Sequence, residues 1–390
     1  MKRSAILFIV LFCALGAMPL QGRAAASYQV TVIGPANSAA YDINRSGQIA
    51  GNLQNGSATS RAFYYDGIAV QDLGTLPGAA YSTAGGLNDY GIVVGNSGPT
   101  GVPGFSQGFL YANGILSNLS ASPESMATKV NNAGIAVGMA LVSNSLDPEG
   151  SFANHAASFY PGGLLDLTDG IGFPARVSEA NDINDAGTAV GTVHDAYQFA
   201  EPMPFMYREG AMRYLGDGEH WYGAAFAINN HDQVAGRTYG LLENGGADTT
   251  RMQAAMYDNG RVRELGALRE GGNSGAWDIN DAGHVVGWTD TPAGASGFLY
   301  LNGEMRLLDS LIDPASGWTI HDAHAINAVD QIAATACRAG ICQAVRLDPL
   351  AAVPEPVQRG MWGAGLVFLL ARLGMPAGRR RPPPSRNIAA

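Results

Sequence analysis

The chain has 390 residues, 46% of them apolar and 14% charged, with 52 glycines and a formal charge of −10. So few charges and so many glycines exclude a disordered chain and argue against long helices, whereas short strands joined by tight turns fit the composition. Setting aside nine basic residues near the two ends leaves 14 basic against 33 acidic residues, a net charge of −19 that argues against nucleic acid as a partner.

Residues 1–26 read as a signal peptide. Lys2 and Arg3 form its basic end, Ala5–Met18 its apolar stretch, and Ala24-Ala25-Ala26 supplies small residues for a cut before Ser27. Cys13 lies in the apolar stretch, and bulky Phe12 before it argues against a lipoprotein cysteine. The remaining cysteines, Cys337 and Cys342, flank a four-residue turn. An exported chain meets an oxidising compartment, which fits a disulfide across that turn; two unpaired small residues are the alternative. No second Cys or His pair has the spacing of a zinc site nearby, so neither a metal nor another cofactor is expected.

The body repeats one pattern: an Ala, four residues later an Asn, three later a turn residue and four later a Gly. The Asn positions are Asn44, Asn88, Asn131, Asn184, Asn229, Asn280 and Asn327, spaced by 44, 43, 53, 45, 51 and 47 residues. Each unit opens with an apolar strand ending at residues such as Ile43, Leu87 or Ile326. The Asn then caps a turn through its own backbone, and the following Gly accepts positive φ. Asp232 and Asp330 replace that Gly in two units, and Asp also tolerates the left-handed region. The recurring Ala predicts close approach between neighbouring units. The Gly of the second strand predicts a bulge or a close backbone contact.

The third strand is aromatic, as in Ala62-Phe63-Tyr64-Tyr65 and Gly297-Phe298-Leu299-Tyr300. Such a stripe is expected to be core between units rather than a sugar-stacking platform. Hairpin turns such as Asn113-Gly114 and Asn302-Gly303 lead to a fourth strand ending at a Leu. Four strands in about 45 residues is the measure of a propeller blade. The seventh unit runs into residues 351–356 without a fourth strand, while Val30–Gly34 stands alone at the front. Pairing that segment with Gln343–Leu347 would complete the set and remove two open sheet edges. The expected fold is therefore all-β, a seven-bladed β-propeller over residues 27–350, closed by its N-terminal strand. Insertions at Leu141–Asn154 and Leu241–Thr250 would form loops on one face.

These units resemble the HAF repeat of bacterial extracellular proteins. The match is carried by Arg61-Ala62-Phe63, Asp72-Leu73-Gly74-Thr75-Leu76-Pro77-Gly78, Leu87-Asn88-Asp89-Tyr90-Gly91 and Ile279-Asn280-Asp281-Ala282-Gly283. The His that opens the family's signature step is an Arg here. Residues 351–390 resemble a PEP-CTERM sorting tail, with Pro354-Glu355-Pro356, an apolar run from Met361 to Ala371 and Arg379-Arg380-Arg381. That resemblance implies an exosortase-type processing partner, transient retention in the inner membrane, a final place at the cell surface or outside the cell, and an association with exopolysaccharide and biofilm.

Catalytic signatures are weak. Gly104-Phe105-Ser106-Gln107-Gly108 has the letters of a nucleophile elbow but precedes an aromatic strand, not a helix, so no catalytic residue is assigned. His321 and His324 around Asp322 form the densest histidine cluster, and Trp221 and Tyr222, with Tyr197 and Phe199, are contact candidates in connecting segments. Asp42-Ile43-Asn44 and its copies resemble calcium loops only in part, lacking the downstream carboxylates. The leading expectation is a non-enzymatic binding or matrix protein whose partner is exopolysaccharide or a surface protein. A polysaccharide hydrolase or lyase using the propeller mouth is the alternative, and a purely structural scaffold a third reading.

Overall fold

The computed structural model describes residues 27–350 apart from 56–58, 100–105, 144–151, 161–162, 170–174 and 196–201. The chain divides into Met1–Leu350 and Ala351–Ala390. The signal peptide and the Pro354-Glu355-Pro356 tail lie outside the described residues, as do Tyr197 and Phe199. Everything described is strand, turn or short 3-10 helix, so the fold is all-β.

The first unit runs Ala39–Ile43, Ile49–Leu53, Arg61–Tyr65 and Val70–Asp72, each strand antiparallel to the next. Five further units repeat this order from inner strands Tyr81–Leu87, Ser125–Val130, Ala175–Ile183, Gly223–Ile228 and Ser274–Ile279. Units three and four join through the single parallel pair of Asn154 and Val177, so hydrogen bonding gives six sheets, none closed on itself. The last sheet holds Thr319–Ile326, Ile332–Arg338 and Ile341–Pro349, and its outer strand is Tyr28–Ala36 from the front of the chain. Val30 stands opposite Leu347 and Val32 opposite Val345, the pairing expected for that segment.

The repeat has two physical causes. The first is the turn: Asn44 Oδ1 accepts the N–H groups of Ser46 at 3.1 Å and Gln48 at 3.0 Å, and Gly47 sits at φ 75°. Asp232 at φ 59° and Asp330 at φ 61° take the same conformation, as the turn reading requires. The second is a β-bulge in every inner strand, between the recurring Ala and the residue two before the Asn. In a regular strand the Ala and the apolar residue three positions on would face opposite sides. The extra residue restores the phase, and both are buried.

The bulge also explains the Gly of the second strand. A Cβ on Gly95, Gly138, Gly191, Gly236 or Gly287 would lie 2.0 Å from the carbonyl oxygen of the residue before the facing Ala. The seventh unit has Ala334 there, and its inner strand shifts register a second time, between Ile320 and Asp322.

Seven apolar clusters fill the spaces between consecutive units. One joins the last to the first, setting Ala325, Ala333 and Ala344 against Ala40, Ile43, Ile49 and Phe63. Phe63, Phe109, Phe159, Phe205 and Phe298 are fully buried, so the aromatic stripe is core. The insertion at Leu241–Thr250 differs from a loop. It chiefly lengthens a hairpin between Val234–Leu241 and Ala247–Asp258. The one at Leu141–Asn154 extends its flanking strands to Ser143 and from Phe152, with its centre outside the described residues.

Cys337 and Cys342 stand opposite each other in the last sheet and are joined by a disulfide. Replacing both with serine should lower stability by about 2 kcal/mol, the loop-entropy value for so short a closure. The urea midpoint of the Cys337→Ser/Cys342→Ser double variant checks this; no shift would mean the hairpin turn alone holds these strands.

Candidate functional site

The seven turns meet around an axis. Asn44 Nδ2 donates to the carbonyl of Asn88 at 3.1 Å, Asn88 to Asn131 at 3.0 Å and Asn131 to Asn184 at 3.1 Å. Asn184 donates to Asn229 at 3.2 Å, Asn229 to Asn280 at 3.0 Å, Asn280 to Asn327 at 3.0 Å and Asn327 back to Asn44 at 3.0 Å. Each carboxamide therefore caps its own turn with oxygen and ties its neighbour with nitrogen, and the side chains complete a circle that no strand ladder completes. The residues following each Asn rim the cavity at this end. There Arg45, Asp89, Asn132, Asp185 and Asn230 each donate a backbone N–H to the side chain of the next unit's rim residue, a series that stops at Ala328.

A second ring lies two residues before each Asn: Asp42, Gly86, Lys129, Asp182, Ala227, Asp278 and Ala325. Its carboxylates link units, since Asp42 accepts from Leu87 N at 2.8 Å, Asp182 from Ile228 N at 2.8 Å and Asp278 from Ile326 N at 2.7 Å. Lys129 Nζ lies 2.6 Å from Asp42 Oδ1. Burial pushes Asp182 up to about 6 and Asp278 up to about 7, with Lys129 pulling both back. Burial works against the Lys129 ammonium, but Asp42, Asp278 and Asp182 outweigh it and raise its pKa. With one oxygen of each engaged by a backbone N–H of the next unit, these aspartates tie neighbouring units together. Among the described residues no three His, Cys, Asp or Glu side chains are placed to hold a metal ion.

The third ring consists of the bulged residues: Tyr41, Gly85, Thr128, Asn181, Phe226, Trp277 and His324. All are partly exposed, whereas the Ala before and the Asn after each are buried. They reach neighbouring units. Thr128 donates to Ala180 O at 2.7 Å and Asn181 to Ala225 O at 2.8 Å. Trp277 Nε1 donates to Asp322 Oδ1 at 3.0 Å. The Phe226 and Trp277 rings meet edge-on at 4.8 Å, and Tyr41 lies 4.7 Å from the His324 ring. Units five, six, seven and one thus form an aromatic arc, facing the small or polar Gly85, Thr128 and Asn181 of the others. A Cβ on Gly85 would meet the Ala127 carbonyl oxygen at 2.5 Å, so that side is closed by backbone.

Of the site residues expected from sequence, His324 belongs to this ring. Its Nε2 is 3.5 Å from Asp322 Oδ2, and burial lowers its pKa against the pull of Asp322. His321 is the residue released by the extra register shift and is exposed. Trp221 is exposed in a connecting segment, while the Tyr222 carbonyl receives Tyr239 N–H at 3.1 Å beside the arc's end. Ser106 is buried and its Oγ contacts Ser125 O at 3.5 Å, with Gly104 and Phe105 outside the described residues. Sequence reasoning missed Tyr41, Asn181, Phe226, Trp277 and Lys129. Aligning the units on their Asn would have found the first four, as the position three before it never repeats a residue, and would have shown Lys129 as the one cation at the position two before it.

No family model matches the chain, and no curated protein does. Among solved structures the chain is similar to the β-propeller domain of the Trilobed protease from Pyrococcus furiosus, at 9% identity over 82% of this chain and 99% of that one, TM-score 0.45. It is also similar to the Pyrococcus horikoshii acylaminoacyl peptidase, at 14% identity over 86% of this chain, TM-score 0.46. Trypanosoma rangeli sialidase follows at 8% identity over 89%, TM-score 0.37. The match spans about half the length of these last two proteins, 54% and 57%.

Proposed function

We propose that this chain is an exported seven-bladed β-propeller that binds a ligand, without turning it over, in the channel ringed by its bulged residues. One observation carries the reading. The units repeat their Ala, apolar residue, Asn and Gly almost without change, yet the bulge presents seven different residues at one structural position. Packing explains a constant frame, and a channel wall that differs in every unit is what a specific ligand demands. The Asn circle and the cluster joining last unit to first support closure into a ring of seven. The likeness of residues 1–26 to a signal peptide and of 351–390 to a PEP-CTERM tail supports export and exosortase processing. On that footing extracellular polysaccharide is the first partner to test.

The full secreted protein should be retained by matrix polysaccharide from cells of its source. The Tyr41→Ala/Trp277→Ala double variant should lose at least about tenfold in affinity, as paired aromatic anchors do. Equal retention of the variant would remove the channel from the reading. Release of shortened oligosaccharides by the unaltered protein would move the assignment to a hydrolase or lyase.

A further inference from the structure

Beside the aromatic arc lies an arginine whose Nε finds no hydrogen-bond acceptor among the described residues. Arg237 follows Gly236 in the second strand of unit five, opposite Ala224 of the inner strand. Its guanidinium carbon lies 5.1 Å from the centre of the Phe226 ring and 5.2 Å from that of Tyr239. Its Nε is buried and donates to no group among the described residues. At the matching position in unit one, Asn52 accepts Ala84 N of the next unit at 2.9 Å, a role a guanidinium cannot fill because it has no acceptor. Aromatic faces favour a guanidinium but leave its in-plane donors unsatisfied, and a buried donor without acceptor costs about 1–3 kcal/mol.

We propose that Arg237 holds the carboxylate of a ring-bearing acid, with the Phe226–Trp277 edge of the arc taking the ring. This rests on the channel being the binding site and names the chemistry of its ligand. The choice of carboxylate follows from shape and charge. A planar carboxylate matches the planar guanidinium fork. A dianionic phosphate would meet Glu179, which is close enough to feel Arg237, together with a body of net charge −19. Burial raises the Glu179 pKa, while His194 and Arg237 pull it down, so a single negative charge is better tolerated than two. Two sources offer this group beside a ring, a sugar acid and an aromatic acid.

Titration calorimetry of the full secreted protein with glucuronate, benzoate and glucose separates them. Glucuronate or benzoate should bind saturably and glucose should not, the better acid naming the source. Arg237→Met keeps the stem against Phe226 and should weaken binding of that acid about tenfold to a hundredfold. Arg237→Lys, which keeps the charge but loses the fork, should fall between. The thermal midpoint of each variant separates lost binding from lost folding. Equal binding of glucose and the acids, unchanged binding by Arg237→Met, or no binding of any probe would overturn the assignment. In the first two cases the channel reading survives if the Tyr41→Ala/Trp277→Ala variant loses the ligand.

Discussion

Replacing Lys129 with methionine should cost about 3–5 kcal/mol of stability at pH 8 and much less at pH 4, because removing one partner leaves buried charge uncompensated. The ammonium lies 2.6 Å from Asp42 and within the field of Asp182 and Asp278. It is the only cation in a ring that otherwise holds three carboxylates and small residues. The sign of the pH dependence follows from the raised carboxyls. Unfolded aspartate titrates near 3.9, whereas Asp182 and Asp278 titrate at about 6 and about 7 in the fold. Their contribution is therefore fully present below about pH 4 and is lost as pH rises through 6 and 7. Without Lys129 the loss deepens and continues to higher pH. Urea unfolding of both proteins at pH 4, 6 and 8 measures it. A difference that stays constant with pH would assign Lys129 to packing alone.

The parts of this architecture that were legible in the sequence are those set by local chemistry. An Asn followed by Gly makes its turn wherever it stands, so Asn44 and its copies could be placed from their own neighbours. The stray segment Val30–Gly34 was legible by counting fourth strands. What the Asn nitrogen does was not legible, since its partner lies 44 residues away in the first unit and 283 away in the last. The bulge left a signal that was passed over. An Ala and an Ile three apart cannot both face the core of a regular strand, so one residue between them had to be looped out. Seeing this would have moved attention from His321, Trp221 and Tyr222 to Tyr41, Phe226 and Trp277. It would also have shown that Asp42, Asp182 and Asp278 turn toward the neighbouring unit's backbone, where each accepts an N–H.

Gly236→Ala should destabilise the protein by about 2–4 kcal/mol, at the upper end for adding a single methyl group. The new Cβ would lie 2.0 Å from Ala224 O, 3.0 Å from Ala224 C and 3.1 Å from Ala225 Cα, all backbone atoms that cannot rotate away. The seventh unit already carries a Cβ at the matching position. There Ala334 coexists with a second register shift, which takes up His321 within an eight-residue inner strand. The inner strand of unit five has six residues and no second shift, so accommodation would have to unpair its first residues. Ala334→Gly, in contrast, removes a methyl group where the strand has already adjusted and should cost no more than about 1 kcal/mol. Comparing the two urea midpoints tests the close-approach account, and equal losses would defeat it. The Gly236 variant carries a second consequence, because its neighbour Arg237 and the bulged Phe226 depend on the same register. If the bulge shapes the channel wall, the folded fraction of Gly236→Ala should bind the acidic probe more weakly than the folded fraction of Ala334→Gly.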